Sequence, residues 1–156
     1  MRYAQRRFHV VLLGSQGRSQ EFDEAINEYL KSPQDKASQR KLAEVVWDLQ
    51  VNKWSYRVFL LPLMKLLMRF MPSSPGVDAQ FAAVGTYDAA DRLGLIKAPT
   101  LVIAGTDDRL IKPASSDVLA GLVHNVKLVK VEGGGHSFMI EMSGEFNREV
   151  LDFIRS

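Results

Sequence analysis

Cysteine is missing from this sequence of 156 residues, which excludes disulfide bonds, thiolate metal sites and cysteine nucleophiles. No apolar run approaches the roughly 20 residues that a membrane-spanning helix needs. The longest run, at 58–71, is interrupted by Pro62, Lys65 and Arg69. A charge excess is missing too, since 20 basic and 18 acidic residues give a net charge of +2, and we therefore expect no nucleic-acid partner. The remaining composition, 46% hydrophobic and 24% charged, is typical of a soluble globular domain.

The first residues do not form a convincing signal peptide. Their apolar run, at 8–13, is short, contains His9 and is not followed by a small-residue cleavage site. Together with the lack of cysteine, this pattern predicts a cytoplasmic protein.

Hydrophobic periodicity divides the chain into a strand, a helical part and a final α/β part. Residues 9–13 (HVVLL) form a short apolar run before Gly14 and indicate a buried strand. From residue 19 to about 91 the pattern is helical, with a break at Ser32-Pro33. Two faces repeat the helical spacing: Phe22, Ile26 and Tyr29 or Leu30 on one, and Leu42, Val45, Val46 and Leu49 on the other.

The last third alternates strands and helices. Residues 100–104 (TLVIA) and 126–131 (VKLVKV) indicate strands, while 114–122 and about 144–154 indicate helices. This alternation predicts an α/β fold with about three parallel strands flanked by helices. We predict one domain over residues 1–156, with residues 16–85 inserted as a helical cap above the carboxyl ends of the strands.

Two polar loops follow the last two predicted strands. Residues 105–113 (GTDDRLIKP) carry Asp107 and Asp108, and residues 132–140 (EGGGHSFMI) carry His136. If the strands are neighbours, both loops lie at the same edge of the sheet. A carboxylate that accepts a hydrogen bond from one imidazole nitrogen leaves the other nitrogen free as a general base, and Asp108 with His136 is the candidate pair.

Metal and cofactor sites are the alternatives for these loops. Carboxylates and imidazole do bind divalent ions, but no H-x-x-x-H pair accompanies the aspartates, and adjacent aspartates are common in turns. The glycines at 133–135 match neither G-x-x-x-x-G-K-[ST] nor G-x-G-x-x-G. We therefore predict neither a metal nor a cofactor.

The two polar loops and their flanking strands resemble those of a known family. Residues 87–154 resemble the C-terminal part of α/β-hydrolase-fold enzymes, in which a G-x-x-D-x-x-x-P loop follows a strand and a histidine loop precedes the last helix. The resemblance implies the catalytic acid at Asp108 and the catalytic histidine at His136. The start of the chain, RYAQRRFHVVLLGS, is similar to the family's stretch between the helix behind the nucleophile and the next strand.

The family's nucleophile, a serine in G-x-S-x-G, has no counterpart here. Ser15, Ser74, Ser137 and Ser143 all lack the pattern. The resemblance therefore implies an esterase-like or lipase-like hydrolase of ester or similar bonds that is incomplete, with a small-molecule substrate. The alternative is a non-catalytic subunit whose strand at 9–13 pairs with a second copy or with an N-terminal half-chain.

The most apolar segment, residues 57–71, allows two interpretations. It could line a pocket for a lipophilic substrate, with methionines as an adaptable wall, or it could be a helix packed on its own core. We favour the second interpretation for most of these residues. Lys65 and Arg69 are too few to form the basic face of a membrane-surface helix.

Overall fold

A computed structural model describes residues 18–68 and 88–156, together with the single positions 76, 79 and 83. The predicted strand at 9–13 and the serines Ser15 and Ser74 lie outside the described residues. The predicted pairing through that strand therefore stays a prediction, as does the assignment of residues 16–85 to an insertion.

The described elements, in chain order, are α1 (Gln20–Lys31), α2 (Lys36–Gln50), a π-helical turn (Tyr56–Leu60), α3 (Leu61–Met68), a 3-10 helix (Ala90–Leu95), β1 (Thr100–Gly105), α4 (Ala114–Leu122), β2 (Val126–Val131), α5 (Phe138–Glu141) and α6 (Ser143–Arg155).

The two described strands form a parallel pair. Their register runs from Thr100 opposite Val126 to Gly105 opposite Val131, so both strands end at the same edge. Helix α4 connects them and packs on both, and α6 packs on β2. This arrangement confirms the predicted α/β fold for the last third of the chain, with element boundaries within one or two residues of those expected.

Helices α1 and α2 pack against each other, and a side-chain cap defines where each one begins. The Ser19 hydroxyl accepts the N–H of Phe22 at 3.3 Å and begins α1. The Asp35 carboxylate accepts the N–H groups of Ala37 and Ser38 at 3.3 and 3.0 Å and begins α2. Helix α1 ends at Lys31, directly before the predicted break at Ser32-Pro33, whereas the end of α2 at Gln50 lies within a stretch that the sequence pattern predicted to be helical throughout.

The core between these helices follows the predicted faces and adds one residue from elsewhere. It consists of Phe22, Ala25, Ile26, Tyr29, Leu42, Leu49 and Leu110. Leu110 belongs to the loop after β1, and its carbonyl also accepts the N–H of Ser19 at 2.9 Å. The helical layer and the loop that follows β1 are therefore held together by one buried cluster.

The apolar segment after α2 is largely exposed. Phe59 and Leu63 are 72% and 51% exposed, so within the described residues this segment does not bury itself in a core of its own. A recess of about 260 Å³ is lined by Ser55, Tyr56, Phe59 and Leu60. Among the described residues, no helix has both the length and the apolarity that crossing a membrane requires.

A short helix differs from the expected loop. The segment predicted as a loop at 132–140 ends earlier, because Phe138 begins α5. Phe138 is buried and meets the ring of Phe146 edge-on, with 5.8 Å between the ring centroids. This aromatic contact stabilises the first turn after His136.

Candidate active site

Asp108 is held in place by the backbone that follows it. Its Oδ1 accepts the N–H groups of Leu110 and Ile111 at 2.9 and 2.8 Å. An aspartate in a turn satisfies backbone donors in this way, and the hydrogen bonds orient the whole carboxylate. Because Leu110 is buried in the helical core, the turn itself has little freedom to move.

His136 faces the second oxygen of the same carboxylate. The distance from His136 Nδ1 to Asp108 Oδ2 is 2.9 Å, and the side chains of His136 and Asp108 are 28% and 12% exposed. The structure thus brings together the two residues that the sequence paired. Among the described residues, Asp108 is the one side chain hydrogen-bonded to this imidazole.

The geometry determines which imidazole nitrogen can act as a base. An ionised carboxylate only accepts hydrogen bonds, so Nδ1 must carry the proton that lies between it and Asp108. The other nitrogen, Nε2, then presents a lone pair. His136 Nε2 can therefore take a proton from a nearby hydroxyl, and the Asp108 carboxylate can stabilise the imidazolium that results.

The loops after β1 and β2 approach each other closely at glycines. A Cβ atom at Gly105 would lie 2.0 Å from the carbonyl oxygen of Gly134, so no other residue fits there. Gly133 has φ of 70°, a conformation that L side chains rarely adopt. The glycine run is thus required by the turn and by the close contact with β1, and it brings His136 to the sheet edge.

Hydrogen bonds connect the two loops directly. The N–H of Asp107 donates to Gly134 O at 2.9 Å, and the N–H of Gly133 donates to the Thr106 hydroxyl at 2.8 Å. The Thr106 hydroxyl in turn lies 3.3 Å from Asp107 Oδ1. Asp107, the predicted neighbour of the acid, therefore supports the loops through its backbone, while Asp108 faces the histidine.

A third segment, which the sequence did not indicate, joins these loops. The side-chain amide of Asn52 donates to Asp107 O at 2.7 Å, and the N–H of Ser137 donates to Gln50 O at 3.0 Å. Glu141 Oε1 accepts the N–H of Asn52. No motif marks Asn52 or Glu141, because their meeting depends on chain folding across 89 residues.

Comparison with known proteins places this chain in a family. The family model described as the alpha/beta hydrolase fold matches residues 17–142. This chain belongs to the α/β-hydrolase family. The match covers the helical layer, both strands and both site loops.

Individual relatives match about half of this chain. A putative carbamate hydrolase RutD of Variovorax paradoxus is 37% identical over 83 residues, which is 53% of this chain and 31% of the relative. The protein of the same name from Pseudomonas savastanoi pv. phaseolicola is 38% identical over 85 residues, 53% of this chain and 33% of the relative. The matched part of the chain thus spans about a third of the length of these curated relatives.

Solved structures share the fold. MGS-M2, an α/β hydrolase enzyme from a Medee basin deep-sea metagenome library, superposes with a TM-score of 0.71 at 20% identity. The superposition covers 94% of this chain and 54% of that enzyme. The α/β-hydrolase fold therefore accounts for nearly all of this chain, which corresponds to about half of that larger enzyme.

Proposed function

We propose that this chain provides the acid and the general base of a serine-hydrolase centre, in which Asp108 orients His136 and His136 transfers protons. The observation that carries the proposal is the 2.9 Å hydrogen bond between Asp108 Oδ2 and His136 Nδ1. Membership of the α/β-hydrolase family supports it, as does the position of both residues after neighbouring parallel strands.

In the proposed reaction, His136 Nε2 takes the proton of a serine hydroxyl while the serine oxygen bonds to the substrate's carbonyl carbon. The bond to the leaving group then breaks, and the leaving group receives that proton from Nε2. Water repeats the sequence: its proton passes to Nε2, its oxygen bonds to the acyl carbon, and the acyl–serine bond breaks. The serine oxygen recovers the proton, so each bond hydrolysed consumes one water.

The serine of this reaction is proposed to come from a G-x-S-x-G segment that these 156 residues do not contain. Without that nucleophile and its oxyanion hole, the chain alone should show no turnover. Its contribution is the proton-transfer half of the centre.

The proposed substrate is a small molecule with an ester or similar carbonyl bond. Two relatives are named as putative carbamate hydrolases, and a carbamate carbonyl is open to the same attack as an ester carbonyl. We further propose that the substrate carries a lipophilic group, because the apolar side chains of Phe59 and Leu60 are exposed at a shallow recess.

The test measures hydrolysis of a short-chain chromogenic ester by the chain alone and by the same chain joined behind a nucleophile-bearing segment of a family member. We expect no turnover from the chain alone. The joined protein should be active, and His136→Ala should lower its rate by about 10⁶-fold, the order of loss when the histidine of such a triad is removed. The matched control is His124→Ala, because His124 is exposed and follows α4 rather than β2.

Two outcomes would contradict parts of the proposal. Turnover by the chain alone that is lost in both His136→Ala and Ser15→Ala would show a nucleophile within these 156 residues. Turnover in the joined protein that survives His136→Ala would remove His136 from the reaction.

A further inference from the structure

The segment that follows α2 contacts both site loops, although it is far from them in sequence. Glu141 Oε1 accepts two successive backbone N–H groups, from Asn52 at 3.1 Å and from Lys53 at 2.9 Å. A carboxylate that accepts two N–H groups makes charge-assisted hydrogen bonds, which are stronger than neutral ones. Glu141 therefore attaches the end of α2 to the helix that follows His136.

The Asn52 side chain reaches the loop that carries the acid. Its amide nitrogen donates to Asp107 O at 2.7 Å, at the residue before Asp108. The same side chain also occupies the space beside Gly135, where an added Cβ would lie 2.9 Å from Asn52 Cγ. Asn52 thus contacts the residues that immediately precede Asp108 and His136.

A third contact lies on the other side of the histidine. The N–H of Ser137 donates to Gln50 O at 3.0 Å, so residues 135 and 137 are both in contact with the segment at 50–52. Glycines lose more conformational freedom on folding than other residues, so the backbone at 133–135 needs contacts of this kind in addition to its hydrogen bonds with residues 106 and 107. Contacts on both sides of position 136 limit that freedom and so restrict where the ring can lie.

We propose that Asn52 and Glu141 are positioning residues, which hold His136 at hydrogen-bond distance from Asp108. We call this pair, with its contacts to Asp107, Lys53 and Gly135, the Asn52–Glu141 link. The inference rests on the proposed function, since the positioning matters for the proton transfers of His136. If the link only attached α2 to the sheet, its loss would lower the stability of the fold without changing the tautomer or the proton exchange of the His136 imidazole.

The experiment is ¹⁵N NMR of the histidine side chains in the 156-residue chain. In the parent protein we expect the tautomer with the proton on Nδ1 and slow solvent exchange of that proton. Asn52→Ala and Glu141→Ala should each raise the exchange rate about 3- to 10-fold, the effect expected from losing hydrogen bonds that keep the ring in place. Glu141→Gln keeps an acceptor oxygen and should restore most of the parent behaviour.

Matched controls are Asn147→Ala and Glu145→Ala, on the following helix α6. They remove the same side-chain types and should leave the His136 ring signals unchanged. Urea unfolding of every variant separates a change in stability from a change at the ring. If Glu141→Ala does not fold, Asn52→Ala carries the test, and Gly135→Ala adds to it because its methyl group displaces the Asn52 amide.

Folded link variants with the parent's His136 tautomer and exchange rate would overturn the proposal, whatever their stability. A parent chain without the Nδ1 proton signature would overturn it as well, since there would be no pair to position. The two proposals can also fail separately. If the link variants change the His136 ring signals but the joined protein hydrolyses no ester, the link is supported and the hydrolase proposal is contradicted.

Discussion

Asp108 uses its two carboxylate oxygens for different purposes. Oδ1 accepts two backbone N–H groups of its own turn, and Oδ2 lies 2.9 Å from His136 Nδ1. The first set of hydrogen bonds fixes the carboxylate plane and thereby directs the second oxygen at the imidazole. The tautomer of His136 is consequently determined by one residue whose orientation the backbone controls.

Replacing Asp108 by asparagine should reverse this tautomer. The asparagine carbonyl can still accept the N–H groups of Leu110 and Ile111, which turns its NH₂ group toward Nδ1. Nδ1 must then accept a hydrogen bond, and the proton moves to Nε2, which can no longer act as the base. We expect a reversed ¹⁵N tautomer pattern in the chain and a loss of about 10⁴-fold in His136-dependent hydrolysis by the joined protein.

Asp107→Asn is the matched control, because the Asp107 carboxylate lies against the Thr106 hydroxyl and not against the imidazole. Its ring signals and rate should stay close to those of the parent. An Asp108→Asn protein with the parent's tautomer would contradict the assigned role of Oδ2.

Helix α2 shows how an element depends on its first residues. Asp35 accepts the N–H groups of Ala37 and Ser38, and the buried Ser38 hydroxyl donates within the same turn. The two hydrogen bonds to the Asp35 carboxylate satisfy backbone donors that an α-helix cannot pair by itself. The far end of α2 leads into Asn52, so the cap supports the element from which the link to the site extends.

Asp35→Ala should lower the free energy of unfolding by about 1 kcal/mol, the usual cost of losing an N-cap side chain. Urea unfolding followed by circular dichroism measures the change. Glu44→Ala, an exposed position in the middle of the same helix, should alter stability by less than about 0.5 kcal/mol. Equal effects at both positions would contradict the capping role of Asp35.

At the scale of the molecule, the helical layer and the site share one core. Leu110 is 6% exposed and is buried with residues of α1 and α2, while its N–H holds Asp108. The same leucine accepts the N–H of Ser19 at the start of α1. Loss of packing between the helices should therefore loosen the loop after β1 and with it the hydrogen bonds that hold Asp108.

Leu110→Ala should destabilise the protein by about 2–5 kcal/mol, as expected for a truncated core leucine. Amide hydrogen exchange should show faster exchange in α1, in α2 and at the N–H groups of Leu110 and Ile111. Leu151→Ala, at a position 46% exposed on α6, should change both quantities far less. Faster exchange confined to the loop after β1 would contradict a core shared with the helices.

The sequence by itself determined the local elements and the candidate pair. Helical spacing of Phe22, Ile26 and Tyr29, the apolar run of each strand and the break at Ser32-Pro33 are signals between near neighbours, and such signals are readable without coordinates. The motifs around Asp108 and His136 were readable because each directly follows a strand, and parallel strands end at one edge.

Only the tertiary structure decided what holds that pair in place. Asn52 contacts Asp107 across 55 positions of the chain, and Glu141 contacts Asn52 across 89 positions. Leu110 connects the loop that carries Asp108 to the helical layer. No local pattern encodes such contacts, because they depend on how α2 packs against the loops after β1 and β2. The exposure of Phe59 and Leu63 was equally unreadable, since an apolar run specifies a tendency to be buried and not the surface that buries it.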